Sequence, residues 1–325
     1  MSQLYYYARR ILVAIVLIFA IATFLFFAFK LMPGSYATIL LQQGASPQKV
    51  AQVKQQWGLN KPIYIQYLSW MGNMLTGHAG MSRQYNKPVV TVVGTALRNS
   101  MILALPGVVC AFIVGSIYGA LMGNRPGSRF ERYGIIIPNL VGTTPDFFVA
   151  ILVLFLFSMT LNLFPSGSMT SIQVATSVSG WRIFTTTSFW YHYTLPFLTI
   201  VIKYMYYPAT VMRGSVVEVR NQEFATYQRL LGLGRWRRFR HIMKHASLPV
   251  ITVLPAVTAT SISGLVLIEI VFNWPGVGSL LFNSVIARDT PVIQFMFLLI
   301  AIWIVLGNLV VDILYTVIDP RITID

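Results

Sequence analysis

Four histidines, one cysteine and nine carboxylates are the chain's stock of the groups most used for acid–base and metal chemistry. They do not assemble into a pattern. His78, His192, His241 and His245 lack metal-ligand spacing; His241 and His245 share a helical face, but among arginines, and read as a solvated basic surface. Cys110 lies inside an apolar run, so it reads as a small buried hydrophobe that excludes an internal disulfide and any Cys-x-x-Cys site. There is no GxxxxGK[ST] phosphate loop, no GxSxG elbow, no HExxH helix and no pair of carboxylates at helical spacing. The expectation is a chain with no catalytic residues, no metal site and no enzymatic activity of its own. Energy for any work it does must come from elsewhere.

Three carboxylates fall within or beside apolar runs, where an ionisable group is expensive and defaults to a functional hypothesis. Asp146, in Thr144-Pro145-Asp146-Phe147-Phe148, is expected to face a translocation path and meet a cationic group of the cargo. Glu269 is carried as a second path candidate. For Glu269 and Asp312, near the ends of their runs, capping and inter-helix hydrogen bonds are the weightier reading.

The elements that would position these groups are membrane helices. The 325 residues are 56% hydrophobic and 10% charged, with mean hydropathy +0.67, whereas soluble domains carry about 25% charged residues. A net charge of +15 in a soluble chain would point to nucleic acid. Here the basic residues cluster between apolar runs, so a lipid bilayer explains the charge and no nucleic acid is expected. Runs long enough to span occur at about 11–31, 99–122, 133–161, 191–212, 248–272 and 292–316. The first exceeds a signal-peptide core and reads as a retained span. The expected fold is an all-α polytopic membrane protein of six transmembrane helices. It divides into an N-terminal tail and first helix (1–31), a small helical insertion (32–98), a membrane core (99–316) and a short tail (317–325). Within the insertion, Ser46 and Pro47 can start a helix with Val50, Val53 and Trp57 on one face. A second follows Pro62, with Ile63, Tyr67, Trp70 and Met71 aligned.

Lysine and arginine bias sets the orientation. With both termini inside, short inside segments hold fourteen of the 24 basic residues and outside segments eight, leaving Lys30 and Lys203 within or beside apolar runs. The insertion is then extracytoplasmic, and it contains no Asp or Glu. Gly115, Gly119 and Gly123 recur every four residues, as do Ala256, Thr260 and Gly264, which lets helix backbones approach closely. Close packing within the subunit is the simpler reading of both. Prolines at 106, 138, 145, 196, 208 and 255 interrupt several runs, as in a bundle that moves or lines a path.

The most informative polar stretch is 213–249, with eight basic residues against Glu218 and Glu223. It reads as helix–turn–helix. Asn221 is the expected N-cap, with Glu223 in the first turn and Phe224, Tyr227 and Leu231 on one apolar edge. Gly232 suits a left-handed C-cap, with Gly234 close behind. Trp236, Phe239 and Met243 then share a face before Pro249 opens the fifth span. An aromatic edge ringed by arginines needs a cover, either a partner protein or anionic lipid.

The spacing Glu223-Phe224-(x)7-Gly232-Leu233-Gly234-(x)13-Leu248-Pro249 resembles the EAA loop of ABC importer permeases, in the longer form of the dipeptide/oligopeptide/nickel group. Thr226, Tyr227 and Gln228 stand where the EAA letters would be, a departure common in that group. Glu269 to Gly278 is similar to its "ETVFxxPGxG" signature, Arg288-Asp289-Thr290-Pro291-Val292 to its "RDYPV" element, and Asn308 to Arg321 to its "NLxxDxxYxxxDPR" ending. Arg9-Arg10 and Met32-Pro33-Gly34 match its N-terminal half, so the resemblance covers essentially the whole chain. Asp146 sits where the group's "PxFW" element usually has an uncharged residue.

The resemblance implies a type I ABC importer permease fold and the first chain of a permease pair in a prokaryotic cytoplasmic membrane. It implies a coupling helix at about Glu223 to Leu231, with Ala225, Gly232 and Gly234 in the same loop (213–247), docking on a cytoplasmic ATPase. Partners would be a second, homologous permease, two ATPase subunits that bind ATP and magnesium, and an extracytoplasmic substrate-binding protein. This chain would bind no cofactor. Cargo would be di- or oligopeptides, with oligosaccharides, nickel or glutathione as alternatives. A secondary transporter would show charged pairs in its spans or an inverted repeat, and a membrane enzyme a catalytic cluster; neither is visible.

Overall fold

A computed structural model of the chain describes residues 3–31, 60–178 and 180–318, together with Ser46 and Gln48. The described residues are helical, with one isolated bridge between Met81 and Pro88 and no strand. The helices are α1 (Gln3–Leu31), α2 (Ile63–Leu75), α3 (Val89–Gly123), α4 (Arg129–Gly134), α5 (Ile136–Thr143), α6 (Asp146–Leu154), α7 (Ile172–Ser177), α8 (Thr187–Tyr204), α9 (Tyr206–Arg220), α10 (Glu223–Leu230), α11 (Arg235–Val271), α12 (Val277–Ile286) and α13 (Thr290–Ile318). A π-helical turn, Phe155–Thr160, extends α6. Among the described residues, α1, α3 and α13 contain stretches long and apolar enough to cross a membrane. The bent pair Arg129–Thr143 and Asp146–Thr160 makes a fourth if taken as one span. The chain forms two compact units, residues 1–94 with 283–325 and residues 95–282.

In the first unit α1 packs along α13, with Phe29 and Phe297 rings 6.3 Å apart. Helix α2 lies against α1 through the expected Tyr67 and Trp70, whose rings approach Phe26 at 5.4 and 5.5 Å. Ile63, placed on the same face from its spacing, is instead exposed. The Thr23 and Tyr67 hydroxyls share a 2.8 Å hydrogen bond, and Lys30 Nζ donates to Gln66 Oε1 at 2.6 Å. Asp289 is fully buried at the start of α13; its Oδ2 accepts from Ser82 Oγ at 2.6 Å and from the Gln84 amide at 3.1 Å. This carboxylate ties the turn ahead of α3 to α13. The helix expected from Ser46 to Trp57, the Met32-Pro33-Gly34 match and the Asp319-Pro320-Arg321 match lie outside the described residues, apart from Ser46 and Gln48.

The core of the second unit is an aromatic cluster. Phe189, Tyr193 and Trp274 are buried with ring centroids 5.3 to 6.1 Å apart. Gly115, Gly119 and Gly123 set α3 directly on the backbone of the α8–α9 segment: a Cβ at these positions would strike the carbonyls of Met205, Ala209 and Arg213 in turn. The small-residue register thus serves close packing inside the subunit. Pro106 lies within α3 and supplies no amide to the carbonyl four residues back, and the Tyr193 hydroxyl donates to that carbonyl, Ile102 O, at 3.1 Å.

The structure corrects several expected boundaries. The second apolar helix begins at Val89, ten residues before 99, because Thr91 and Thr95 sit comfortably on a helix whose apolar neighbours continue upstream. The run 133–161 is not one continuous helix: it breaks at Thr144-Pro145 and turns by 109°. The run 191–212 divides at Met205 into α8 and α9, since Pro208 removes the amide that would bond Tyr204 O. Pro249 opens nothing; it lies inside α11, which runs 37 residues without interruption.

The α3 contact predicts that Gly119→Val lowers the melting temperature of the purified protein in detergent, by the equivalent of roughly 1–3 kcal/mol for an overpacked helix contact. Gly214→Ala, at a helix glycine with open space around it, is expected to leave it unchanged or raise it slightly.

Candidate functional site

The break at Pro145 brings together three groups that the sequence scatters. Pro145 has no amide to offer Val141 O, and α5 ends there with its last carbonyls unpaired. Lys203, from the last turn of α8, fills that position. Its Nζ donates to Val141 O at 3.2 Å, to Gly142 O at 3.0 Å and to Thr144 O. A cation at a helix C-terminus also meets the negative end of the helix dipole. Asp146 sits in the first turn of α6, beyond the break, with Oδ1 3.9 Å from Lys203 Nζ. The pair therefore binds the end of one half-helix to the start of the next. Gly264 of α11 makes room for it: a Cβ there would lie 2.6 Å from the Asp146 carboxyl carbon and collide with the Tyr204 hydroxyl. The Asp146 carboxylate, expected to meet a cargo cation, thus has a cation of its own chain, Lys203, beside it. The lone lysine in an apolar run was the signal for such a partner.

Glu269 is entirely enclosed. Its Oε1 accepts from Ser100 Oγ at 2.5 Å and its Oε2 from the Gly278 amide at 2.7 Å, while Ser100 Oγ accepts from the Val277 amide at 2.8 Å. The carboxyl thus caps the N-terminus of α12 and joins it to α3 and α11. Around it, the buried Trp274 indole donates to Asn99 O at 3.0 Å and Asn99 Nδ2 donates to Pro275 O at 2.9 Å. A side chain at Gly276 would run into the Glu269 carboxyl, and one at Gly278 into Val266. The Pro275-Gly276-Val277-Gly278 signature is the wall of this knot. Asp312 is on α13, and its surroundings lie outside the described side chains.

The basic segment is a helix–turn–helix, α10 and the start of α11, with a fixed base and an open tip. Asn221 is the C-cap of α9 rather than an N-cap, and Gln222 precedes α10 with no side-chain cap bond. The expected apolar edge is divided. Ala225 is buried and Phe224 packs inward, its ring 5.0 Å from that of His245. Tyr227 and Leu231 are 61% and 77% exposed, and Leu230, which spacing did not mark, is as open as Leu231. Trp236 is exposed while Phe239 is buried. Gly232 takes the left-handed conformation at φ +71°, and Gly234 is the extended N-cap of α11. Glu223 occupies the first turn of α10. Gln228 Nε2 lies 3.2 Å from His241 Nδ1, across the two helices.

At the base, Glu131 of α4 is buried and takes Arg213 Nε at 2.9 Å and Nη2 at 2.6 Å on Oε1, with the Gly127 amide at 2.6 Å on Oε2. Arg220 donates to Asn124 O. The Gly127 amide first, and then Arg213, hold the Glu131 carboxyl below the usual carboxylate range, against the opposing effect of burial. Neither Glu131 nor Lys203 stood out as a site residue in the sequence. Among the described residues no group of three or more His, Cys, Asp or Glu side chains could hold a metal ion.

Two measurements check these contacts. Lys203→Met leaves Asp146 without its cation and the α5 carbonyls uncapped, and is expected to destabilise the fold by about 3–5 kcal/mol; adding Asp146→Asn should recover part of that loss in a double-mutant cycle of melting temperatures. Because the folded state lowers the Glu131 pKa, its carboxylate stabilises the fold above the ordinary carboxylate pKa, and that contribution disappears as pH falls through the folded value. Glu131→Gln should therefore melt below wild type at neutral pH, with the gap closing in acid.

Comparison with known proteins agrees with this architecture. Residues 111–324 match the family model for the binding-protein-dependent transport system inner membrane component, and residues 3–102 match the model for the N-terminal part of such membrane components. The chain is 32% identical over 320 residues to the oligopeptide transport system permease protein AppB of Bacillus subtilis (strain 168), covering 98% of each. It is 30% identical over 331 residues to the dipeptide transport system permease protein DppB of Alkalihalophilus pseudofirmus, covering 98% of this chain and 99% of that one. It is also 30% identical over 318 residues to the probable peptide ABC transporter permease protein y4tP of Sinorhizobium fredii, covering 98% of each. A polytopic helical chain matched along nearly its whole length in this way belongs to the family of binding-protein-dependent transport system inner membrane components.

Proposed function

We propose that this chain is the permease subunit through which a cytoplasmic ATPase drives binding-protein-dependent import of di- or oligopeptides. The observation that carries the coupling role is the tip of the basic segment. Tyr227, Leu230 and Leu231 are large, apolar and exposed on a short helix, at the end of a segment whose base is clamped by Glu131 and Arg213. Water is a poor cover for such a tip, and a groove on a partner is a good one.

The remaining assignments follow from that role. Two ATPase subunits bind ATP and magnesium, and no cofactor is bound here. A second, homologous permease completes the path, and an extracytoplasmic binding protein delivers cargo. Both termini and the 213–247 loop face the cytoplasm of a prokaryotic cell, and 32–98 faces outward; the denser Lys/Arg content of the short inside segments supports this. Peptide cargo rests on the names of the relatives.

Gly232→Val provides the test. A β-branched residue at positive φ is strained, by roughly 1–2 kcal/mol or more, and the α10–α11 turn must shift to relieve it. Import of labelled dipeptide and peptide-stimulated ATP hydrolysis should both be lost, while the amount of protein in the membrane stays at the wild-type level. Normal uptake by this variant would remove the coupling assignment.

A further inference from the structure

We infer that the first unit carries a binding site for the phosphate headgroup of an anionic phospholipid, in the cavity between α2 and the ends of α1 and α13. The cavity encloses about 600 Å³. Its polar lining includes the cations Lys30, Lys61 and Arg83 together with His78, and among the described residues no carboxylate lines it. The Lys61 ammonium has no hydrogen-bond or ion-pair partner among the described side chains. The Lys30 ammonium donates to Gln66, and the Gln66 amide in turn donates to the Lys61 backbone carbonyl at 2.6 Å, so one side chain bridges the two lysine positions. Phe26, Phe29 and Trp70 add apolar lining.

The location matches the chemistry. Lys30 is in the last turn of α1, where a spanning helix leaves the hydrocarbon, and a lysine there reaches its charge toward the headgroup layer. Helix α2 is amphipathic and exposes Ile63, Tyr64, Leu68 and Leu75, as a helix lying in the interface plane does. A ligand here needs an anionic head for the lysines and an acyl portion for the aromatic lining. A phosphodiester headgroup on an acyl chain has both; inorganic phosphate has only the first. The site stands on the geometry of this unit and not on the peptide-import reading; only its assignment to the outer leaflet uses the proposed orientation.

The test uses native mass spectrometry of the intact complex purified through this chain, titrated with phosphatidylglycerol, phosphatidylcholine, glycerophosphoglycerol or inorganic phosphate. Phosphatidylglycerol should bind in preference to phosphatidylcholine. Lys61→Gln combined with Lys30→Gln should weaken it by roughly tenfold or more, as expected for lost charge-assisted hydrogen bonds, while Lys61→Arg retains it and shows that the fold is intact. Trp70→Ala should weaken the lipid alone. Equal phosphatidylglycerol affinity in wild type and the double glutamine variant would overturn the site, and competition by inorganic phosphate as strong as that by the lipid would overturn its assignment to lipid. Labelling of Lys61→Cys, on a Cys110→Ser background, by a membrane-impermeant maleimide reports the leaflet separately: failure there revises the orientation and leaves the binding result standing.

Discussion

A backbone in an apolar medium has nowhere to place an unpaired carbonyl, and the second unit is built around that constraint at Pro145. The proline removes a donor, the chain turns by 109°, and the carbonyls at the end of α5 are left without helical partners. Lys203 answers three of them with one ammonium group. A buried cation then requires an anion, which Asp146 supplies from the far side of the break, and the carboxyl needs space, which Gly264 provides. Proline and aspartate are neighbours in the chain while lysine and glycine come from two other stretches, yet each is needed because of the one before it. The rule recurs in milder form at Ile102, whose carbonyl is freed by Pro106 and taken by Tyr193.

The same economy shapes two fully enclosed carboxylates outside this break. Glu269 and Asp289 are each fully enclosed, and each holds a turn against a helix start. Neither has a basic side chain as its hydrogen-bond donor; hydroxyl and amide donors meet them. Directional bonds of this kind determine where a turn lies, which apolar packing between smooth helices in lipid does not. Two of the stretches that carry the family resemblance, Glu269 to Gly278 and Arg288 to Val292, are therefore clasps, and Gly276 and Gly278 mark where the first leaves no room.

The basic segment shows how a rigid base and an exposed tip coexist. Glu131 and Arg213 close the base, and α11 continues without a joint from the turn at Gly234 to Val271. The 37-residue helix begins just after the turn that carries Tyr227, Leu230 and Leu231 and runs to Gly264 beside the Asp146 carboxylate. The proposed coupling surface and the broken span are thus connected through one continuous element, by packing alone.

Much of this was legible from residue order. Hydropathy runs located the membrane helices because the bilayer sets a length that composition must satisfy, and Gly232 announced its left-handed turn because side chains are strained there. The spacing of Gly115, Gly119 and Gly123 announced a close helix contact, since only small residues permit one. What hydropathy could not decide was where a long apolar run is broken, because a helix and a bent pair of helices have the same composition. Nor could spacing assign partners: Phe224 and Tyr227 lie on one nominal edge, but only Phe224 finds His245 behind it. The charge of Asp146 was visible as costly and its cation was not, since Lys203 lies 57 residues away and becomes its neighbour only when α8 packs against the break. The sequence by itself determined which groups had to be satisfied in an apolar medium; the tertiary structure decided by whom, because pairing depends on distance in space and not along the chain.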